Sequence, residues 1–245
     1  MAISLHIFDA GVMAYRPAWD AQLALHERVL NGELPDGAIM LVEHAPVITI
    51  GRRPGAEKHL LASQKLLESR GVEVVETDRG GDITFHGPGQ LVAYPIIPLN
   101  RYNLNLHEYM RLIEQSVIDT LAHFGVHADR SPGATGVWVN GDDPRTNKPL
   151  DPLAAKVCAI GVKLRRWVTF HGLALNVATD LAYFNMINPC GLSRPVTSLQ
   201  RLLGDEAPAL EVVKPVLVNA FEKLLTLRQE HQSLADERRE AEKQA

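Results

Sequence analysis

The sequence predicts an α+β fold, a mixed β-sheet flanked by helices. Three observations point there. Runs rich in β-branched and aromatic residues recur at 38–50, 91–98, 155–164 and 168–177. Segments with apolar residues at helical spacing are interspersed at 20–30, 60–69, 105–125 and 209–227. The two kinds mix without the strict strand–helix alternation of a doubly wound parallel sheet.

Each element has a local reason. Asp20 is a candidate cap for a short helix whose apolar positions include Leu23, Val29 and Leu30. Strand-forming residues fill 38–50, broken by a turn at His44-Ala45-Pro46, which gives two strands or one interrupted strand. A helix over 60–69 stops at Gly71, and 72–77 reads as a short strand. The glycine-dense stretch 79–90 reads as a loop, followed by a strand over 91–98. Asn105 opens the clearest helix, with Leu106, Met110, Ile113, Val117 and Leu121 on one face, ending near Gly125. Gly136-Val137-Trp138-Val139 is a strand, and the Pro- and Asp-rich stretch after it, 140–152, reads as a surface loop or insertion. Two strands, 155–164 and 168–177, form a hairpin with Arg165-Arg166 at its turn. A helical turn at 180–184, a tight turn at 188–191 and helices at 197–203 and 209–227 complete the chain. Residues 1–227 read as one catalytic domain, and 228–245 as a charged tail, either frayed helix or disordered.

Composition narrows the function. With 245 residues, 46% of them apolar, the chain can bury a sizeable core. A net charge of −4 lacks the excess of Lys and Arg expected of a nucleic-acid binder. The N-terminus has no basic segment followed by an apolar run, and no stretch is long and apolar enough to span a membrane, so a cytoplasmic protein is expected. The two cysteines, Cys158 and Cys190, fit a reducing compartment and do not form a metal-binding CxxC pair. The histidines show no HxxxH or HExxH spacing, and no metal site is expected.

Three segments carry candidate chemistry. The first, Arg79-Gly80-Gly81-Asp82-Ile83-Thr84-Phe85-His86-Gly87-Pro88-Gly89-Gln90, has the glycines that let backbone approach a ligand, though a plain turn reads equally well. It is neither a Walker loop nor a dinucleotide fingerprint. The second runs from Lys156 through Ala159, Ile160 and Gly161 to His171, Gly172, Leu173 and Ala174. Lys156 enters an apolar run, where it must either snorkel outward or act, and His171 alone reads as a core histidine. The third places Cys190 in a tight turn, whereas Cys158 sits inside an apolar strand as filler. A cation near Cys190 would lower its pKa and make it nucleophilic.

These segments together resemble the lipoyl(octanoyl) transferase family, through RGGDITFHGPGQLVAYPI, KVCAIGVKLRRWVTFHGLALNV and FNMINPCGL in that order. The resemblance implies the fold of the biotin and lipoate protein ligase catalytic domains. It implies transfer of an octanoyl group from octanoyl-acyl carrier protein to a lysine of lipoyl domains, the first step of protein lipoylation. Acceptors would be the lipoyl domains of 2-oxoacid dehydrogenase complexes and the glycine cleavage H protein. By motif position the catalytic pair is Cys190 and Lys156. The acyl pocket maps to Arg79, Gly80, Gly81, Asp82, Ile83, Thr84, Phe85 and His86, to Ala159, Ile160 and Gly161, and to Gly172, Leu173 and Ala174, with His171 as a further pocket residue.

A thioester donor needs no ATP, so no cofactor is expected, in keeping with the missing phosphate loop. Lys156 would shuttle protons, and backbone N–H groups near Gly161 or Gly191 would bind the oxyanion. Arg165 and Arg166, with Lys163 nearby, form a candidate docking patch, equally a solvated turn. The stretch 140–152 looks longer than the family's hairpin there. The nearest alternative is an ATP-dependent lipoate or biotin ligase of the same fold. A non-catalytic acyl-binding protein and a cysteine hydrolase using His86 or His171 as base are further alternatives.

Overall fold

The computed structural model describes residues 3–139, 155–188 and 194–244. The stretch 140–152, the Cys190 turn and Gly191 as an oxyanion donor all fall outside these. A seven-stranded mixed sheet runs β1(His6–Met13)-β2(Ala38–His44)-β6(Gln90–Ile96)-β10(Val168–Asn176)-β9(Ala155–Arg165)-β8(Ala134–Val139)-β7(Asp129–Ser131). Among the described strands of this sheet, β1 and β2 pair in parallel and the other neighbours antiparallel. A small second sheet, β4(Glu73–Glu76)-β3(Val47–Ile50)-β5(Ile83–His86), stands beside it.

Alternation along the strands sorts the core. In β2, Ile39 and Leu41 face a large cluster with Leu91 and Ala93 of β6, while Ala38, Met40 and Val42 face a second with Val92, Tyr94 and Ile96. The first cluster is covered by α3(Leu106–His123) and α5(Leu210–Gln244), through Tyr109, Ile113, Val117, Leu217 and Phe221. The second is covered by α1(Tyr15–Leu30), through Ala18, Leu25 and Val29. Among the described residues no helix is long and apolar enough to cross a membrane.

Asn105 caps α3 as its sequence suggests. Its side chain accepts from the Glu108 amide while Glu108 accepts from the Asn105 amide, satisfying two otherwise orphan donors. Other boundaries move for identifiable reasons. Helix α1 starts at Tyr15 rather than Asp20, because Pro17 lies in the first turn, where its missing N–H leaves no bond unmade. Helix α2(Gln64–Ser69) begins after Ser63, whose side chain accepts from the Leu66 amide; Leu60 instead bridges to Ile187. The glycine-dense stretch is not all loop: Ile83–His86 pairs antiparallel with β3. The hairpin turn is Arg166-Trp167 rather than Arg165-Arg166, both residues at positive φ (53° and 64°). Helix α4(Leu199–Leu203) starts after its Ser198 cap, and α5 carries the helix through the charged C-terminal stretch to Gln244.

Two glycines pair across β9 and β10, Gly161 opposite Gly172. A Cβ on Gly172 would collide with the Ala93 carbonyl oxygen and lie 2.7 Å from Pro95 Cδ. Backbone cannot swing away in the middle of a sheet. Gly172→Ala is therefore expected to cost about 1–3 kcal/mol, read as a Tm lowered by several degrees in thermal denaturation; an unchanged Tm would show that β10 and β6 are not packed this closely.

Candidate active site

Lys156 owes its position to an irregularity in β9. Opposite β8, Val137 pairs with Cys158 but the next residue, Trp138, pairs with Lys156, so Val157 is an extra residue in the ladder. Val157 and Cys158 are both fully buried in the same core cluster. That two-against-one step reverses the alternation, so that Lys156 shares a face with Ala159 and Gly161. The Lys156 backbone is held by the segment that follows the Cys190 turn: its amide donates to the Pro195 carbonyl (2.9 Å) and its carbonyl accepts from Thr197 (2.9 Å). Lys156 Nζ lies 4.6 Å from the centre of the Trp138 ring, and Arg194 Cζ lies 4.8 Å from it.

Lys156 opens onto a cavity of about 400 Å³. Its floor is the sheet face carrying Gln90, Val92 and Tyr94 of β6, Asn176, Ala174 and Gly172 of β10, and Ala159 and Gly161 of β9. Arg79, Gly81, Asp82, Ile83, Thr84 and His86 line it from the small sheet and the loop before it, and Ile160, Leu173 and His171 also border it. Thus Lys156 and most of the residues assigned from motif position meet around one space. Two lie off the lining. The Gly80 amide donates to the Val162 carbonyl (2.9 Å), and the Phe85 ring stacks on Tyr183 (4.6 Å) in a separate apolar cluster.

The roof loop is bolted to the floor strands. The Gly80 carbonyl oxygen sits 2.7 Å from where a Gly161 Cβ would be, so Gly161 serves a close backbone approach. Asp78 accepts from His171 Nε2 (2.6 Å) and from Lys163 Nζ (2.5 Å). Lys163 is thereby drawn into an ion pair away from the arginine turn, while Arg165 lies 3.6 Å from Glu27. Arg79 is buried, donating to the Thr49 carbonyl (2.8 Å), Thr49 Oγ1 (3.0 Å) and the Gly80 carbonyl (3.1 Å). Asp82 accepts from His59 Nδ1 (2.7 Å), Arg53 Nη1 (3.2 Å) and the Ile83 amide (2.7 Å).

Sequence reasoning missed a buried polar chain along the floor. His86 Nδ1 donates to Gln90 Oε1 (2.8 Å); Gln90 Nε2 donates to Asn176 Oδ1 (2.9 Å); Asn176 Nδ2 donates to the Thr197 carbonyl (3.0 Å). The proton on Nδ1 leaves His86 Nε2 to accept from Thr49 (3.3 Å). A second pair, Tyr94 hydroxyl to His44 Nε2 (2.7 Å), is fixed because His44 Nδ1 donates to the Met13 carbonyl (2.9 Å). Polar residues inside apolar strand runs were the available signal for Gln90, Asn176 and Tyr94. No local pattern marks Thr49, Asp78, Tyr15 or Trp138.

Burial sets the charge states. It pulls His44 and His171 down to about 4, and His86 well below its usual value. Burial alone would raise Asp78, but hydrogen bonds from His171 and Lys163 outweigh it and hold the carboxyl below its usual range. Burial pushes the Cys158 thiol up to about 12, which removes it as a thiolate near neutral pH.

Residues 14–222 match the family described as lipoyl protein ligase A/B catalytic domain. The chain belongs to that family, among its octanoyltransferases. It is 41% identical over 231 residues to an octanoyltransferase of Christiangramia forsetii, covering 90% of this chain and 95% of that one. It is 45% identical to an octanoyltransferase of Rubrobacter xylanophilus, covering 88% and 90%. Against an octanoyltransferase of Porphyromonas gingivalis, 44% identical, it spans 89% of its own length and 44% of the relative's. Solved structures share the fold: a bipartite lipoate protein ligase of Thermoplasma acidophilum (TM-score 0.65, 14% identity, 91% and 85% covered) and a lipoate-protein ligase A bound with ATP (0.65, 16%, 92% and 86%). A biotin protein ligase of Aquifex aeolicus is more distant (0.53, 12%, 92% and 72%). The expected ligase-type catalytic fold is therefore the observed one.

The buried histidines predict a pH dependence. Unfolded histidine titrates near 6.5, so between about 6.5 and 4 the unfolded chain binds more protons than the folded one, and stability falls as pH drops through that window. Asp78, lowered in the fold, loses its contribution at still lower pH. Denaturant titrations from about pH 7.5 to 4.5 should show falling stability below about 6.5; a flat profile would mean that these histidines are not buried neutral.

Proposed function

We propose that this enzyme transfers an octanoyl group from octanoyl-acyl carrier protein to a lysine of a lipoyl domain, through a thioester on Cys190. The observation that carries the reading is Lys156, turned by the β9 bulge out of the core and toward an apolar trough. Its backbone is tied to 195–197, shortly after Cys190 in the chain. The other cysteine, Cys158, is buried and held as a thiol. Octanoyltransferase relatives at 41–46% identity support the acyl group and the reaction class.

In this mechanism the Cys190 thiolate attacks the carbonyl carbon of the donor thioester. The tetrahedral intermediate expels the carrier thiolate, which takes a proton from the Lys156 ammonium, and the octanoyl group stays on Cys190 Sγ. The acceptor lysine, as a free amine, then attacks the same carbon. Lys156 takes its proton, the Cys190 thiolate leaves, and an amide has formed. Exchange of one thioester for another is near thermoneutral and amide formation is downhill, so no ATP enters. The neutral histidines and the small residues of the floor give an alkyl chain a largely apolar surface to lie on.

Incubation with octanoyl-acyl carrier protein should add the mass of one octanoyl group to the intact protein, as a hydroxylamine-labile adduct. Cys190→Ser should abolish it, and Lys156→Ala should slow transfer by about 100-fold or more. A labile adduct that persists in Cys190→Ser and disappears in Cys158→Ser would overturn the assignment.

A further inference from the structure

We infer that Tyr94 sets the length of acyl chain the site accepts, by closing the trough at the end away from Lys156. The inference rests on reading the site as an acyl-transfer site. Strand register gives the layout. Val92, Ala174 and Ala159 lie side by side across β6, β10 and β9, and two residues further along the same face come Tyr94, Gly172 and Gly161. Lys156 lies beyond Ala159 in the opposite direction. From Lys156 the floor thus passes over alanines, glycines and one valine before it meets a large side chain, and that side chain is Tyr94.

Tyr94 is held in place. Its hydroxyl is bonded to His44 Nε2 (2.7 Å), and its ring packs near His44 and His171, with centroids 6.0 and 6.5 Å away. Tyr15 and Trp19 of α1 extend the wall, against His44 (5.2 Å) and His171 (5.5 Å) respectively. An off-position of this ring would strand two buried polar groups, so it is a rigid stop rather than a yielding one.

The dimensions agree. With strands about 4.8 Å apart and a rise of about 3.4 Å per residue, the Cα atoms of Lys156 and Tyr94 lie about 20 Å apart on a diagonal across β9, β10 and β6. The Lys156 side chain leans over β8 against Trp138, and the Tyr94 side chain leans toward His44 of β2, so the floor of β10 between them stays open. An extended octanoyl group advances about 9 Å from carbonyl to methyl, at roughly 1.3 Å per C–C bond, and fits within that span. Behind Tyr94 the same cluster holds Ala18, Met40 and Ile96, all apolar. Shortening the Tyr94 side chain would therefore lengthen the trough toward these residues while leaving His44 Nε2 without its hydroxyl partner, and each further methylene buried is worth about fourfold in binding.

The test measures kcat/KM for hexanoyl, octanoyl, decanoyl and dodecanoyl carrier thioesters, with a lipoyl domain as acceptor, for wild type, Tyr94→Phe, Tyr94→Leu and Tyr94→Ala. Wild type should favour octanoyl. The dodecanoyl-to-octanoyl ratio should rise by about tenfold or more in Tyr94→Ala, by less in Tyr94→Leu, and little in Tyr94→Phe, which keeps the ring. Circular dichroism checks folding; should Tyr94→Ala not fold, Tyr94→Leu carries the test. Folded variants that keep the wild-type length profile, or lose activity equally at every length, would overturn the inference alone. A wild-type protein that transfers no acyl group from any carrier thioester would overturn the acyl-transfer reading and this inference with it.

Discussion

A single extra residue in the pairing of β9 with β8 governs where the chemistry can sit. Without the step at Val157, strict alternation would send Lys156 toward the same side as Cys158, into a core sealed by α3 and α5. A lysine there would face the cost of burying an ammonium among leucines and valines. With the step, Val157 and Cys158 both fill the core and the lysine emerges on the opposite face, over Trp138 and beside Arg194. The bulge thus converts an apolar strand into one that buries a thiol and presents a cation within two residues.

The rest of the site extends from that strand. Gly161 leaves its floor bare enough for the Arg79 loop to descend onto β9, where Gly80 and Asp78 fasten it. Asp78 collects His171 from β10 and Lys163 from β9, so one carboxylate joins roof and floor through two strands at once. The remaining buried polar groups of the floor are consumed internally, in the His86–Gln90–Asn176 chain and the Tyr94–His44 pair. What faces the cavity is then a largely apolar floor with Lys156 and Arg194 at one end, while on the roof side Arg53 and Asp82 form an ion pair and Arg79 is hydrogen-bonded to Thr49. Low polarity favours an alkyl chain, and it also strengthens any charge interaction made at the lysine end.

Much of this was legible in the sequence because it rests on local signals. Two strand-forming apolar runs on either side of a basic turn located the β9–β10 hairpin, and the capping residue Asn105 located α3. Motif order brought Lys156, the Arg79 loop and Gly172-Leu173-Ala174 to one cavity. What escaped was non-local. The bulge is a relation between β8 and β9 that neither strand reveals by itself, so from its own segment Lys156 read more readily as an exposed strand-end lysine. Asp78 precedes the motif by one residue and gains its role only from partners 85 and 93 residues away. Strand β5 hid inside a glycine-rich stretch because its pairing with β3, not its composition, makes it a strand. Phe85 was grouped with the pocket by motif continuity, yet alternation within β5 turns it to the opposite side from His86.

The proposed mechanism needs one thiol activated and the other inert, and native-state alkylation compares them directly. Iodoacetamide labelling across a range of about pH 5 to 9, with the modified peptide mapped by mass, should place the label on Cys190 alone, with an apparent pKa below the roughly 8.5 of a free cysteine, and Lys156→Ala should raise that value. Labelling of Cys158 in the folded protein, or a Cys190 profile indifferent to the loss of Lys156, would contradict it.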